Sequence, residues 1–281
     1  MTKQSDVKAD PNYTPYLDHG FVGLVEVMGS DQSIEQSARM SYGKGTRTRS
    51  DTRNLIRYLV RNYHTSPLEM GELRFHLKIP IVVMRQFVRH RTASLNEYSG
   101  RYSEMVDEFY VPDESRIQMQ STDNKQGSGD IIDDEEARLS IIEGMELVNQ
   151  TAYSEYQRQL TLGVSREIAR IVLPISNYTE LYWKVDLHNF MKLLQQRLHK
   201  HAQWEIRDLA QKMYDMVAPF FPIACEAFED YWLNGSRFSA EEMRIIQVLL
   251  SGISGTDVND HLSRSNLSVR EKQEFMGKIL L

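Results

Sequence analysis

Alternation of apolar and polar positions indicates where this chain can form strands. Every second residue from 73 to 79 is apolar, and the residues between them are charged or histidine. A period of two over this length is typical of a strand that buries one face. Two further stretches, 21–28 and 178–185, are rich in β-branched and aromatic residues, which also favours strands.

Helical periodicity covers most of the remaining chain. The predicted helices span about 31–43, 51–63, 80–87, 134–162, 165–173, 186–198 and 202–217. Several of them begin at residues that cap helices well, namely Ser30 or Asp31, Ser50 or Asp51, Ser165 and Asp186. In the longest helix we expect the apolar positions to face a core; these are Leu139, Ile142, Met145, Leu147 and Val148.

The remaining segments set the domain organisation. Residues 1–18 are polar and are predicted to form a flexible leader, and 44–49 a basic, flexible turn. Residues 121–136 are polar and acidic and predict an exposed insertion or mobile loop. A main domain over 19–235 and a C-terminal helical extension over 236–281, with two weak helical patterns, complete the chain. Many helices and few strands predict the α+β class.

Composition narrows the function classes. The 281 residues carry 33 Lys and Arg against 39 Asp and Glu, a net charge of −6, which disfavours nucleic acid as a partner. No stretch is long and apolar enough to span a membrane and no signal peptide is recognisable, so we expect a cytoplasmic protein. The single cysteine, Cys225, lies in an apolar run and is expected to be a buried small hydrophobe.

The densest chemical signal is the segment 85–102. It combines one acidic residue, Glu97, with a set of cationic side chains: Arg85, Arg89, His90, Arg91 and Arg101. Guanidinium groups bind phosphate bidentately and stay charged, and Gly100 permits a close backbone approach to a ligand. These residues suit a small phosphate-bearing ligand. The alternative is a solvated basic loop that pairs with surface carboxylates.

The same segment carries a resemblance to a known family. Arg89-His90-Arg91, followed after seven residues by Ser99, matches the RHR-x7-S signature of the flavin-dependent thymidylate synthases. The longer string RHRTASLNEYSGRYS is similar to that family residue by residue. Three other stretches agree in order and spacing, namely HTSP at 64–67, REIARIVLP at 166–174 and QR…HAQWE at 196–205. The resemblance covers roughly residues 20–232.

The resemblance implies a fold and an activity. The fold would be a helix-rich α+β domain with a small, mainly antiparallel sheet, assembled as a homotetramer with shared active sites. The activity would be reductive methylation of dUMP to dTMP, with methylenetetrahydrofolate as the one-carbon donor and FAD reduced by NADPH. Hydride would pass from the flavin to the uracil ring without a cysteine nucleophile, in agreement with the buried position expected for Cys225.

The resemblance also assigns substrate and catalytic residues. Arg197 would polarise the uracil ring, Ser99 would act as a binding hydroxyl at the reacting centre, and His64 would lie near the flavin. The dUMP contacts would come from two neighbouring subunits, Gln86, Phe87, Val88 and Arg89 from one and Glu97, Tyr98, Ser99, Gly100 and Arg101 from the other. Arg170 and Arg197 would complete them.

The FAD contacts follow in the same way. They would be Ser66, Arg89, His90, Arg91, Glu97, Asp186, Leu187, His188 and Lys192. Three positions depart from the family pattern, namely Met70 in place of histidine, Lys192 in place of asparagine or histidine, and Asp186 in place of asparagine. No metal site is expected, because the pair His199 and His201 lacks a third ligand.

Two other hypotheses stay open. The arginine segment can belong to a non-enzymatic nucleotide-binding or RNA-binding module, or the chain can be a degenerate paralogue that kept only the fold. The motifs of a classical dinucleotide fold and of a P-loop are both missing from the sequence. Flavin absorbance near ~450 nm separates the enzyme from the binding module.

Overall fold

The computed structural model describes residues 1–41, 51–250 and 255–279. In these ranges the largest sheet has five antiparallel strands, in the spatial order β1 (Tyr13–Tyr16), β2 (Gly20–Met28), β3 (Glu72–Pro80), β7 (Tyr178–Asp186) and β4 (Ser94–Glu97). A separate two-stranded sheet pairs β5 (Gln118–Gln120) with β6 (Ser128–Ile131). Within the described ranges no helix is both long and apolar enough to cross a membrane.

Helices make up about half of the structure. They are α1 (Gln4–Val7), α2 (Asp31–Arg39), α3 (Thr52–Arg61), α4 (Ile81–Phe87), α5 (Glu135–Thr161), α6 (Arg166–Ala169), α7 (Leu187–Arg197), α8 (Trp204–Val217), α9 (Pro222–Phe228), α10 (Ala240–Leu250), α11 (Gly255–Arg264) and α12 (Val269–Ile279). The predicted α+β class and the small antiparallel sheet are confirmed. The basic turn at 44–49, the end of the first predicted helix near Gly43 and Ser50 lie outside the described residues.

The core lies between one face of the sheet and the helices that pack on it. Leu73, Phe75, Leu77 and Ile79 of β3 are fully buried there, as their alternation predicts. The opposite face of β3 differs from a half-buried strand, because His76 and Lys78 are buried as well. The Nζ atom of Lys78 donates to the carbonyl of Thr2 at 2.8 Å, so the N-terminal segment covers this second face.

The flexible leader predicted for residues 1–18 is therefore corrected. Strand β1 pairs with β2 in register, and Tyr16 is fully buried and donates through its hydroxyl to the carbonyl of Glu205 at 2.8 Å. The backbone N–H of Thr2 donates to the carboxylate of Glu180 at 2.7 Å. Polar composition alone hid these tertiary contacts, which hold the segment against the sheet.

Two caps follow the sequence prediction closely. Asp51 accepts a hydrogen bond from the N–H of Asn54 at the start of α3, and Asp186 accepts one from the N–H of Asn189 at the start of α7. These contacts satisfy N–H groups that lack a partner within the helix. Ser30 and Ser165 also stand at N-cap positions, but their side chains make no capping hydrogen bond.

The long helix α5 departs from expectation in its environment. Its range, 135–161, agrees with the prediction, but the side chains expected to face a core do not do so. Ile142 is partly exposed, and the others are exposed, namely Leu139, Met145, Leu147 and Val148. A monomer rarely leaves so many apolar side chains of one helix in water, so this surface is a candidate interface.

Several short elements escaped the sequence analysis. The acidic insertion at 121–136 includes β6 and the turn of the β5–β6 hairpin, and β4 lies in the arginine-rich segment 85–102, for which no strand was predicted. Helix α9 was not predicted. The C-terminal extension holds three helices, α10, α11 and α12, where two were predicted. Two to four paired residues are too few for a periodic pattern to identify.

Candidate active site

Arg197, the last residue of α7, meets the end of α4 and the residues after it. Its Nε atom donates to Nε2 of His90 at 3.0 Å, and one of its Nη atoms donates to the carbonyl of Gln86 at 3.3 Å. The carbonyl of Gln86 is uncharged, and so is the ring of His90 when its Nε2 atom carries no proton. The guanidinium is thus oriented by two neutral groups and keeps its full charge for a ligand. We call Gln86, Arg89, His90 and Arg197 the Arg197 cluster.

The electrostatics of this cluster favour a neutral histidine. Burial, and then the positive charges of Arg197 and Lys192, lower the pKa of His90 from 6.5 to about 4. His90 is therefore neutral near pH 7 and can accept from Arg197. Burial, and then Arg89, lower the pKa of Arg197 below its usual value. An arginine stays protonated under such a shift, so the cluster remains cationic.

Most arginines of the predicted site form no ion pair with a carboxylate among the described residues. Within the parts of the chain that the structure describes, no ion pair involves Arg85, Arg89, Arg91, Arg170 or Arg197. Three of the four arginines of segment 85–102, namely Arg85, Arg89 and Arg91, are exposed, but among the described residues they lack the carboxylate pairing that the alternative of a solvated basic loop includes. The exception is Arg101, which pairs with Glu167 at 3.0 Å on the surface.

A cavity of about 190 Å³ adjoins the Arg197 cluster. It is lined by residues 89–92 and by side chains from β7 and α7, namely Trp183, Val185, Asn189, Lys192 and Gln196. Among the predicted FAD residues, Arg89, His90, Arg91 and Lys192 meet here. Two guanidinium groups and an ammonium around a cavity suit a ligand with phosphate groups.

Other predicted FAD residues lie away from this cavity. Asp186 is occupied as the N-cap of α7, and Leu187 is fully buried in the core. The ring of His188 packs edge-on against Trp232, 5.7 Å between centroids, and its Nδ1 atom is buried without a hydrogen-bond partner in the described part of the chain. Only the backbone of Leu187 could reach a ligand. These assignments stay predictions.

The turn before β3 holds two more predicted residues. His64 and Ser66 are exposed, and the His64 ring lies edge-on to Tyr58 at 5.4 Å between centroids. In α4, Phe87 is fully buried against Trp183, whereas Val88 is partly open to solvent. Phe87 can therefore contact a substrate only through its backbone.

Ser99, Gly100, Arg101 and Arg170 form a second group, which we call the Gly100 group. A Cβ atom added to Gly100 would lie 2.8 Å from Sδ of Met105 and 3.3 Å from Cδ of Arg170. Only glycine fits beside Arg170 at this position without a shift. Oγ of Ser99 accepts from the backbone N–H of Arg101 at 3.3 Å, which folds the segment tightly around Gly100.

Strand β4 separates the two groups within one chain. It runs from Ser94 to Glu97, so it carries the backbone roughly 10 Å from one group to the other. Glu97 accepts from the hydroxyl of Thr179 at 2.7 Å, and the hydroxyl of Tyr98 donates to the carbonyl of Glu104 at 2.6 Å. No hydrogen bond or ion pair joins the Arg197 cluster to the Gly100 group among the described residues.

Sequence reasoning missed Gln203, a residue that contacts the Arg197 cluster. The side-chain amide of Gln86 donates to Oε1 of Gln203, and the amide of Gln203 donates in turn to Glu205 at 2.8 Å. Gln203 therefore fixes the orientation of a predicted substrate contact. It lies in the HAQWE string that carries part of the family resemblance, which was the available signal.

Cys225 lies in α9, within the hydrophobic core. Burial, and then the nearby carboxylates of Asp31 and Glu229, raise the pKa of its thiol from 9.0 to about 12. A thiol with this pKa is almost entirely protonated at neutral pH and is a poor nucleophile. The expectation that Cys225 is a buried small hydrophobe is confirmed.

The geometry of the site indicates the class of ligand that it suits. An α+β chain that orients the Arg197 guanidinium with neutral acceptors, beside a cation-lined cavity, suits small phosphate-bearing molecules. A search for relatives agrees. Residues 23–223 match the family described as thymidylate synthase complementing protein.

Individual relatives narrow the class. A flavin-dependent thymidylate synthase from Wolbachia pipientis is 45% identical over 261 residues, which cover 93% of this chain and 90% of that protein. One from Treponema denticola is 45% identical over 92% of this chain and 97% of its own length. The crystal structure of a UMP/dUMP methylase, PolB from Streptomyces cacaoi bound with 5-Br dUMP, superposes with a TM-score of 0.70 at 34% identity, covering 79% of this chain and 99% of that chain. The chain belongs to the flavin-dependent thymidylate synthase family of enzymes.

Proposed function

We propose that this enzyme converts dUMP to dTMP by reductive methylation, as a step of de novo dTMP synthesis in the cytoplasm. The one-carbon unit would come from methylenetetrahydrofolate, and the reducing equivalents from NADPH through FAD. The observation that carries the proposal is the orientation of Arg197 by neutral His90 and by the Gln86 carbonyl. The names of the relatives and the nucleotide analogue bound to the solved methylase support it.

Arg197 would act on the uracil ring. A guanidinium without a carboxylate partner is available to a developing negative charge on a ring oxygen, and half-burial strengthens that interaction. His90 would hold the guanidinium plane in place without neutralising it. Gln86, fixed by Gln203, would orient the same ring. When bound, FAD supplies hydride to the pyrimidine and so replaces a protein thiol as the activating group.

The residues that would hold FAD fit this role in part. Arg89, Arg91 and Lys192 supply the positive charge that a pyrophosphate needs, and the adjoining cavity admits one planar group at most. Ser66 and His64, in an exposed turn, and Glu97, beyond β4, would complete the site. None of these three residues lines the cavity, and a second subunit would bring some of them to one cofactor.

We also propose that the enzyme works as a homotetramer with shared sites. The Gly100 group would bind the dUMP phosphate at the Arg197 cluster of a neighbouring subunit. The exposed apolar side chains of α5 supply a surface for association, and exposed Ile168, Ile171 and Ile175 extend it past α6. Light scattering should give four chains per particle, and activity per chain should fall on dilution as subunits separate.

The test of the chemistry uses purified protein with dUMP and methylenetetrahydrofolate. Oxidised protein should absorb near ~450 nm, and deuterium placed on the reduced flavin should appear in dTMP. A colourless protein that takes up no FAD, yet binds dUMP or RNA, would establish the binding-module alternative instead. A yellow protein without turnover would indicate the degenerate paralogue.

A further inference from the structure

A second cavity, of about 360 Å³, lies between the β5–β6 hairpin and the loop that joins α7 to α8. The hairpin lines it with residues between 118 and 128, and the loop with residues 200–204, followed by Arg207. The amide of Asn124 and the Nδ1 atom of His201 hydrogen-bond at 3.1 Å and join the two walls. We call this space the hairpin cavity.

Its charge is predominantly positive. Three lining residues are cations, namely Arg116, Lys200 and Arg207, and one is a carboxylate, Asp123. The side chain of Lys200 has no partner in the described ranges, and the guanidinium of Arg207 donates only to the carbonyl of Lys200, at 3.0 Å. Two cations are thus available to an anionic ligand.

Arg116 forms the inner wall of the cavity. Its guanidinium lies over the Trp204 ring at 4.8 Å, and it is 3.7 Å from the carboxylate of Glu205. Its Nε atom is buried and has no hydrogen-bond acceptor among the described residues. A buried donor without an acceptor costs free energy, which a ligand oxygen would recover. Trp204 is also the first residue of α8, so the positive end of that helix adds to the same potential.

The hairpin cavity also adjoins the Arg197 cluster. Gln203 lines the cavity, and its side chain accepts from Gln86, whose carbonyl accepts from Arg197. Gln203 therefore links the hairpin cavity to the Arg197 cluster. A molecule that reacts at the Arg197 cluster and carries an anionic arm can extend that arm past Gln203 into the hairpin cavity.

We propose that the hairpin cavity binds the anionic arm of a co-substrate, a site that gives the 121–136 insertion a function. The inference rests on the proposed function. The ligand must carry two or more anionic oxygens on a flexible arm. The oligoglutamate tail of the folate and the phosphates of the nicotinamide dinucleotide both provide it, and the experiment distinguishes them.

The experiment compares the wild type with the double variant Lys200→Gln/Arg207→Gln. Methylenetetrahydrofolate with one or with five glutamates is the probe, and NADPH and dUMP are varied separately. For a folate tail, the wild type should prefer the pentaglutamate at least 10-fold in KM, about 1.4 kcal/mol, and the variant should lose this ratio with kcat nearly unchanged. For phosphates, the KM for NADPH should rise 10-fold instead. Arg207→Lys should retain most of the effect.

Lys3→Gln/Lys8→Gln is the matched control, because it removes the same charge from exposed positions in the N-terminal segment. Unchanged KM values for both co-substrates, or a raised KM for dUMP alone, would overturn the proposal. Titration calorimetry of flavin-loaded protein with pentaglutamyl tetrahydrofolate and with NADPH provides a readout without turnover. Tight, variant-sensitive binding in a protein that makes no dTMP would leave the cavity assignment standing and remove the proposed function.

Discussion

Two arginine clusters in this protein differ in the partners that surround their guanidinium groups. On α3, Arg57 and Arg61 are surrounded by carboxylates. Arg57 pairs with Glu226 at 2.9 Å, with Glu271 at 2.9 Å and with Asp230, and Arg61 pairs with Glu271 at 3.2 Å. In the Arg197 cluster, by contrast, the guanidinium donates to a neutral imidazole and to a backbone carbonyl.

The difference shows how the surroundings of an arginine indicate its role. Arg57 is 5% exposed, and a charge at that depth must be compensated by charges of opposite sign. Burial opposes the shift, but Asp230 and Glu271 raise the pKa of Arg57 above its usual value. This cluster binds the C-terminal extension, through α12, to the main domain. Among the residues that the structure describes, Arg197 has no such partner, so its charge is available to a ligand.

The variant Arg197→Ala tests most directly whether the charge of Arg197 acts on a ligand. We expect dTMP formation to fall by about 10²–10³-fold, because an oriented positive charge is removed from the reacting ring. Flavin content, measured by absorbance, should stay near that of the wild type. Arg264→Ala, at an exposed arginine of α11 that pairs with Asp260, is the control and should retain turnover. Near-normal activity of the first variant would remove the role assigned to Arg197.

Glu271→Gln tests the other cluster. Removal of one buried carboxylate leaves Arg57 and Arg61 partly uncompensated, so we expect a loss of about 3 kcal/mol in the free energy of unfolding. Denaturant unfolding at fixed protein concentration measures it. Glu241→Gln breaks the exposed pair with Arg244 and should cost less than about 0.5 kcal/mol. Equal effects for the two variants would show that burial does not distinguish these pairs.

The pKa of His90 tests whether the acceptor of Arg197 is neutral. We expect imidazole NMR signals to titrate near pH 4, and Arg197→Met to raise this pKa by about 1 unit, because one repelling cation is gone. The pKa in the folded state lies below that of the unfolded chain. The associated stability is therefore fully present above about pH 6.5 and is lost as the pH falls towards about 4. A titration near 6.5 in the wild type would contradict the neutral-acceptor geometry.

Cys225→Ser should have the smallest effect on activity. Cys225 adjoins Glu226, a partner of Arg57, and so belongs to the region that stabilises the fold. We expect turnover within about 2-fold of the wild type and a stability loss of about 1 kcal/mol for a buried hydroxyl. An inactive but folded variant would restore a thiol mechanism.

Much of the fold could be predicted because local rules apply at each element. The alternation in β3, the caps Asp51 and Asp186 and the range of α5 follow from periodicity and from capping chemistry. The hairpin β5–β6, β4 and the ordered N-terminal segment could not be predicted. Strand β4 and the N-terminal segment are held by residues distant in sequence, such as Thr2 with Glu180, and the β5–β6 hairpin is too short to show a periodic pattern.

The candidate site divides in the same way. Residue types and spacing identified Arg89 and His90, because a guanidinium cluster in an acidic chain is unusual, and the family resemblance added Arg170 and Arg197. The neutral state of His90 and the role of Gln203 could be recognised only in the folded structure. Burial and the distances to Arg197 and Gln86 decide both, and neither is encoded in a local pattern.

The sequence by itself determined the α+β class, the family and the arginine set, since these depend on the order and the periodicity of residue types along the chain. Only the tertiary structure decided which arginines are neutralised and which stay available. Charge compensation depends on contacts between segments as far apart as α3 and α12, or α4 and α7. Such contacts arise when the chain folds, because burial removes water and leaves each charge only the partners that packing brings to it.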